Sequence, residues 1–247
     1  MNQTDHTRVA IVTGASRGIG ADIARRLASD GLAVAINYAS NAGEADALAG
    51  ALREKGARAI AVRGDVSKAH DARRIFEEAE QAFGKVDVVV NNAGIMAMVP
   101  LIDATDEQFE RHFAVNAKGT FNMLREAGRR LRQGGRIVNL STTALALNMP
   151  GYAIYNGSKA AVEAFTRVFA KELRGRDITV NAIAPGPVET GLFLNGKSDA
   201  LIAQLAGMAP LGRLGQPDDI AKVVSFLAGP DGGWVNGQVL RANGGVA

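Results

Sequence analysis

Short runs rich in Val, Ile and Ala recur along the chain at residues 9–13, 33–38, 57–62, 86–91, 136–140 and 178–184, each too short and too continuously apolar to be a half-exposed strand. Runs of this kind are buried parallel strands, covered on both faces. Between them lie stretches with apolar positions three and four apart, at 21–29, 44–55, 69–83 and 162–173, which predict amphipathic helices. A further helix is predicted from Pro217-Asp218-Asp219 to about Gly229-Pro230, followed by a seventh strand near 238–240. Strands alternating with helices specify an α/β fold: a Rossmann-like, doubly wound, seven-stranded parallel sheet flanked by helices. No repeat, low-complexity tract or proline-rich linker interrupts the series, so residues 1–247 are expected to form a single domain. Residues 186–214 break the alternation with Gly, Pro and the apolar cluster Leu192-Phe193-Leu194, before a short helix expected over 199–206. Following the sixth strand at the carboxyl edge of the sheet, this segment is expected to be a lid over a site.

Composition narrows the chemistry. The 247 residues include 47% hydrophobic and 21% charged ones, ordinary values for a chain that closes a full core. No stretch approaches the ~20 consecutive apolar residues of a membrane-spanning helix, and residues 1–8 are polar rather than signal-like, which points to the cytoplasm. The absence of cysteine excludes disulfides, thiolate metal sites, iron–sulfur clusters and thiol nucleophiles. His6, His70 and His112 are far apart and sit in no ligand-spaced pattern, so no metal is expected. A net charge of only +3, with arginines 129, 130 and 132 interleaved with glutamates 107, 110 and 126, and an aromatic content of 5% give no basis for nucleic-acid binding.

The first strand runs into Thr13-Gly14-Ala15-Ser16-Arg17-Gly18-Ile19-Gly20 and then a helix, the context of a phosphate-binding turn whose glycines let backbone N–H groups approach a pyrophosphate. Glycine spacing alone also serves tight strand-to-helix turns without any ligand. Tyr155 and Lys159, in Tyr155-Asn156-Gly157-Ser158-Lys159, lie one turn apart on one helix face. A phenol holds its proton to a pKa near ~10, and a neighbouring ammonium makes its anion more accessible. Such a pair also occurs on ordinary helix surfaces.

Together these motifs resemble the classical short-chain dehydrogenase/reductase family, and the resemblance extends through nearly the whole chain. The Thr-Gly-x-x-x-Gly-x-Gly turn covers Gly14, Ser16, Arg17, Gly18, Ile19 and Gly20; Asn91-Asn92-Ala93-Gly94 follows the fourth strand as the family's Asn-Asn-Ala-Gly does. Gly64-Asp65-Val66 stands where the family contacts adenine, and Pro185-Gly186, Val188 and Thr190 where it binds the nicotinamide carboxamide. The resemblance implies that Tyr155 and Lys159 act on substrate and cofactor ribose, and that Asn116 binds water near Lys159 to complete a proton relay. Thr142, thirteen positions before Tyr155, occupies the place of the family's serine. A threonine keeps the polarising hydroxyl and adds a methyl group that restricts its rotamer. Ser141 is the competing hydroxyl, although alternation along the strand points it away if Thr142 points in.

Cofactor choice follows from charge. The second strand ends in Asn37-Tyr38-Ala39-Ser40 without a carboxylate to bind a free ribose, and Arg17 supplies a cation in the glycine turn. NADP(H) is therefore expected, with Arg17, Asn37, Tyr38 and Ser40 around the 2′-phosphate end. Met96, Met98, Leu145, Leu147, Met149, Tyr152, Pro187, Leu192 and Phe193 are the expected pocket lining. The expected function is NADPH-dependent reduction of a carbonyl, with the reverse oxidation using the same groups. Ala209-Pro210-Leu211-Gly212-Arg213-Leu214-Gly215 and the Asn243-Gly244-Gly245 ending are most similar to 3-oxoacyl-acyl-carrier-protein reductases, which raises a thioester substrate. A sugar or polyol dehydrogenase and a non-catalytic NADP(H)-binding regulator are the alternatives. The resemblance also implies a homotetramer, paired through helices near 119–132 and 152–173 and the C-terminal strand.

Overall fold

The computed structural model describes residues 7–247; the polar start at 1–6, with His6, lies outside the described residues. Seven strands, β1 (Val9–Val12), β2 (Ala33–Tyr38), β3 (Ala59–Arg63), β4 (Val88–Asn91), β5 (Arg136–Leu140), β6 (Thr179–Pro185) and β7 (Val239–Ala242), form one sheet in the order β3-β2-β1-β4-β5-β6-β7. Every pairing is parallel. The strand order reverses between β1 and β4, and at such a switch point the loops on either side part to leave a crevice at the carboxyl edge.

Period-two alternation decides which side chain meets which helix layer. Ala10 and Val12 of β1 face α1 (Gly18–Ser29), α2 (Ala42–Glu54) and α10 (Pro217–Ala228), packing with Ile23, Leu27, Leu48 and Val224. Val9 and Ile11 face the other layer, made by α3 (Ala69–Phe83), α5 (Gly119–Arg130) and α7 (Ala153–Glu172), with Ile75, Phe76, Met123 and Leu124. All four β1 side chains are fully buried, which explains why the strands read as continuous apolar runs.

The elements differ from the sequence expectation chiefly at their ends. The third and fourth strands begin two residues late, at Ala59 and Val88, and the seventh runs on to Ala242. The helix expected from 162 begins at Ala153, so Tyr155 and Lys159 lie in its first two turns. Between β4 and α5 the chain adds a 3-10 turn (Leu101–Asp103) and α4 (Asp106–His112), which opens on a capping box between Thr105 and Gln108. A π-helical stretch, Phe113–Lys118, then carries Asn116. A one-turn helix, α6 (Ala144–Leu147), follows β5, and the irregular segment after β6 holds two short helices, α8 (Gly191–Leu194) and α9 (Asp199–Gly207). Among the described residues no helix is long and apolar enough to cross a membrane, and no cluster of three His, Asp or Glu side chains could hold a metal ion.

Candidate active site

The loop leaving β1 is held from three sides. Thr13 donates its hydroxyl to Val90 O (3.3 Å) and accepts the N–H groups of Asn92 and Ala93 (3.0 Å each), tying the ends of β1 and β4 together. Asn92 Nδ2 donates to the carbonyls of Thr13 (2.9 Å) and Gly14 (3.0 Å). Gly14 has φ +61°, and a Cβ there would lie 2.8 Å from Ala93 Cα, so only glycine fits. Arg17 is the exposed N-cap residue of α1 and makes no side-chain cap bond. The opening N–H groups of α1, at Gly18, Ile19 and Gly20, therefore face the switch point, where the helix dipole favours an anion.

Asn37 requires a correction. It was expected beside a 2′-phosphate, but it is 1% exposed and its amide is spent inside the fold. Oδ1 accepts from Gly14 N (3.3 Å), and Nδ2 donates to Val62 O (3.2 Å) and Gly64 O (3.0 Å). Asn37 thus shapes the glycine turn from beneath. Tyr38 is partly buried against the core, and Ser40 is exposed, 3.3 Å from Asn41 Oδ1. Asp65 accepts from Ser67 N (3.0 Å) and Ser67 Oγ (2.7 Å), and the carbonyl of buried Val66 accepts from Asn122 Nδ2 (2.9 Å).

The ends of β4, β5 and β6 and the start of α7 line a cleft of about 160 Å³, open to solvent, into which Asn92, Gly94, Thr142, Tyr155, Lys159, Pro185, Gly186, Val188 and Thr190 all converge. The Thr142 and Tyr155 side chains stand together in the cleft. Burial pushes the Tyr155 phenol above its usual value, Thr142 pulls it back in part, and the nearby Tyr152 adds to the rise. Burial also lowers the Lys159 ammonium to about 8. Lys159 Nζ donates to Leu140 O (2.7 Å).

Asn116 is fully buried, and its side chain is committed. Oδ1 accepts from Ile95 N (2.8 Å), while Nδ2 donates to Ile95 O (2.9 Å) and Ser158 Oγ (3.0 Å). Its carbonyl takes the Thr120 hydroxyl at 2.8 Å. Gly94 is wedged between this amide and the ammonium: a Cβ there would lie 3.2 Å from Asn116 Oδ1 and 3.4 Å from Lys159 Nζ.

Of the expected lining, Met96, Leu147, Met149, Tyr152, Pro187, Leu192 and Phe193 line the cleft, whereas Met98 and Leu145 do not; Met98 is 49% exposed. Leu205 and Met208, from α9 and just beyond it, complete the apolar wall. Nothing in their local pattern marks them, because only the return of α9 over the cleft brings them there.

Comparison with known proteins agrees with this geometry. A family model described as enoyl-(acyl carrier protein) reductase matches residues 14–247. A short-chain type dehydrogenase/reductase of Picea abies is 46% identical over 248 residues, covering 96% of this chain and 92% of that protein. An NADPH-dependent aldehyde reductase-like, chloroplastic protein of Arabidopsis thaliana is 44% identical over 252 residues, covering 96% and 93%. A blue fluorescent protein from a metagenomic library, solved in complex with NADPH, superposes with a TM-score of 0.93 at 38% identity, covering 99% of this chain and all of that one. The chain belongs to the short-chain dehydrogenase/reductase family. It is an oxidoreductase on the Rossmann-like sheet of that family.

Proposed function

We propose that this protein is an NADP(H)-dependent carbonyl reductase in which Tyr155 is the proton donor. The observation that carries the reading is the convergence of the Thr142 and Tyr155 hydroxyls with the Lys159 side chain in one largely apolar cleft. Two hydroxyls there can both reach one substrate oxygen, and the surrounding methionine, leucine and aromatic side chains select an apolar body.

The residues at the switch point fit a dinucleotide. The open N–H groups of α1 suit a pyrophosphate, Gly14 leaves room for close approach, and exposed Arg17 offers a cation where β2 ends without a carboxylate. A relative named for NADPH and a solved neighbour holding NADPH support the phosphorylated cofactor. When bound, NADP(H) supplies or accepts the hydride. A phenol pushed up by burial is protonated at neutral pH, the state needed to give a proton to the alkoxide oxygen developing on the substrate. Thr142 steadies that oxygen by a second hydrogen bond, and the Lys159 charge favours the tyrosinate left behind. Asn116 serves by holding Ile95 and Ser158 in place, and a water-mediated relay would use the second lone pair of its main-chain carbonyl, which already accepts from Thr120.

On this reading the chain is a single domain working in the cytoplasm, 186–214 are the lid, and the protein is a homotetramer. Leu192, Phe193, Leu205 and Met208 on the cleft wall support the lid, and partly exposed Phe121 and Val168, on α5 and α7, suit a subunit contact. The wall gives a polyol little to bond with, which favours a ketone, an aldehyde or an acyl thioester. The test is NADPH oxidation against acetoacetyl thioesters, aryl ketones, diketones, quinones and aldoses, with Tyr155→Phe as control. Turnover by the native chain should fall by ~10³-fold or more in the variant, with NADPH still bound. Undiminished turnover in Tyr155→Phe would sink the mechanism, and silence across the panel with NADPH bound would favour a regulator.

A further inference from the structure

His112 lies at the end of α4, 3% exposed, and no step of the reaction above uses it. Both ring nitrogens have partners. Nδ1 is 2.7 Å from the Gln108 carbonyl, and Nε2 receives the N–H of Ala97 at 3.0 Å. A carbonyl can only accept and an amide N–H can only donate, so the ring is neutral with its proton on Nδ1. Four residues on, Asn116 grips Ile95 at both its N–H and its carbonyl. The segment leaving β4 is thus fixed at Ile95 and at Ala97, from two side chains of one helical stretch. Met96, between the two fixed points, lines the cleft.

We propose that His112 is a positioning residue for substrate selection: with Asn116 it clips the 95–97 backbone and so sets where Met96 stands in the cleft wall. The inference rests on the reading of this cleft as the substrate site. A methionine is adaptable by itself, with three rotatable bonds, so a fixed wall must come from a fixed backbone. Without the clip, a substrate large enough to touch Met96 must order that segment on binding, and its affinity falls. A substrate too small to reach the wall does not meet this cost.

The test compares His112→Phe, which fills the space without an acceptor, with His112→Gln, whose side-chain oxygen can still take the Ala97 N–H. KM and kcat are measured with NADPH for 1-tetralone and for 2-butanone, alongside hydrogen exchange of peptides covering 95–98. In His112→Phe, KM for the bicyclic ketone should rise about tenfold, with kcat and the 2-butanone constants within about twofold of the native values, and exchange at 95–98 should quicken about tenfold. His112→Gln should restore most of both. Should His112→Phe not fold, His112→Asn, which keeps a donor toward Gln108 but cannot reach Ala97, takes its place. Unchanged exchange overturns the clip; quicker exchange with unaltered KM, or an equal loss of kcat on both ketones in every variant, overturns the role in selection. If the native chain reduces no carbonyl, the proposed function fails on its own, and the exchange comparison still decides the clip.

Discussion

The ammonium of Lys159 is buried against the main-chain carbonyl of Leu140, 2.7 Å away at the last residue of β5. The contact joins α7 to the strand end that carries Thr142, but one neutral acceptor does not repay the loss of water around a full charge. Burial accordingly lowers Lys159 from 10.5 to about 8.

The lowered value has a consequence for stability. Below pH 8 both folded and unfolded chains are protonated at this site, and the native state bears the whole cost of the buried charge. Between about 8 and 10.5 the native state releases its proton while the unfolded state keeps one, so the unfolded chain binds more protons and stability rises with pH. The cost present at neutral pH is ~3 kcal/mol by this shift. Lys159→Met should therefore be inactive yet more stable than the native chain at pH 7, by up to ~3 kcal/mol less the loss of the Leu140 hydrogen bond. The advantage should vanish by about pH 10.5, as read by urea unfolding at both pH values. An equal difference at both would show that no charge is buried there at a cost.

Ser141 and Thr142 are neighbours whose hydroxyls serve different partners. Ser141 is 4% exposed and donates to Glu163 Oε1 at 2.7 Å, while Thr142 Oγ1 accepts from Ala144 N at 3.1 Å and shares the cleft with Tyr155. Thr142→Ala should lower kcat by ~10²-fold, the usual cost of one donor at a developing oxyanion, and Thr142→Ser should stay near native. Ser141→Ala should leave kcat within about twofold and cost ~1 kcal/mol of stability, because Glu163 loses a donor. Steady-state kinetics and thermal unfolding of the three variants check this, and the opposite pattern would move the catalytic hydroxyl to Ser141.

How far the sequence could be read follows from what each feature depends on. The sheet was legible because parallel strands buried on both faces need unbroken apolar runs, as β1 and β2 show, and the Tyr155–Lys159 pair because four residues make one helical turn. Asn37 was misread because its place at the end of β2 says nothing of its direction. Pairing with Val62 on β3 turns its amide inward, toward the carbonyls of Val62 and Gly64. The sequence also carries the capping-box spacing of Thr105 and Gln108 that opens α4, although no helix was expected there. The π-helical stretch after it was not legible, since a change from four- to five-residue bonding leaves no periodic trace over six residues. Leu205 and Met208 join the cleft only through the return of the chain after β6.

With Asn37 turned inward, Arg17 carries the expectation for cofactor choice. It is exposed at the N-cap of α1, and β2 runs out through Tyr38, Ala39 and Ser40 with no carboxylate to repel a phosphate. An arginine fork on a dianionic phosphate forms charge-assisted hydrogen bonds worth ~1.5–3 kcal/mol, or about ten- to a hundredfold in affinity. Arg17→Ala should weaken NADPH by that factor while changing NADH by less than about twofold, and the gap between native and variant should narrow as salt is added, since the contact is at the surface. Fluorescence titration of both nucleotides separates the possible placements. An equal loss for both would put Arg17 on the pyrophosphate they share, and no loss for either would move recognition of the 2′-phosphate to the Ser40 end of β2.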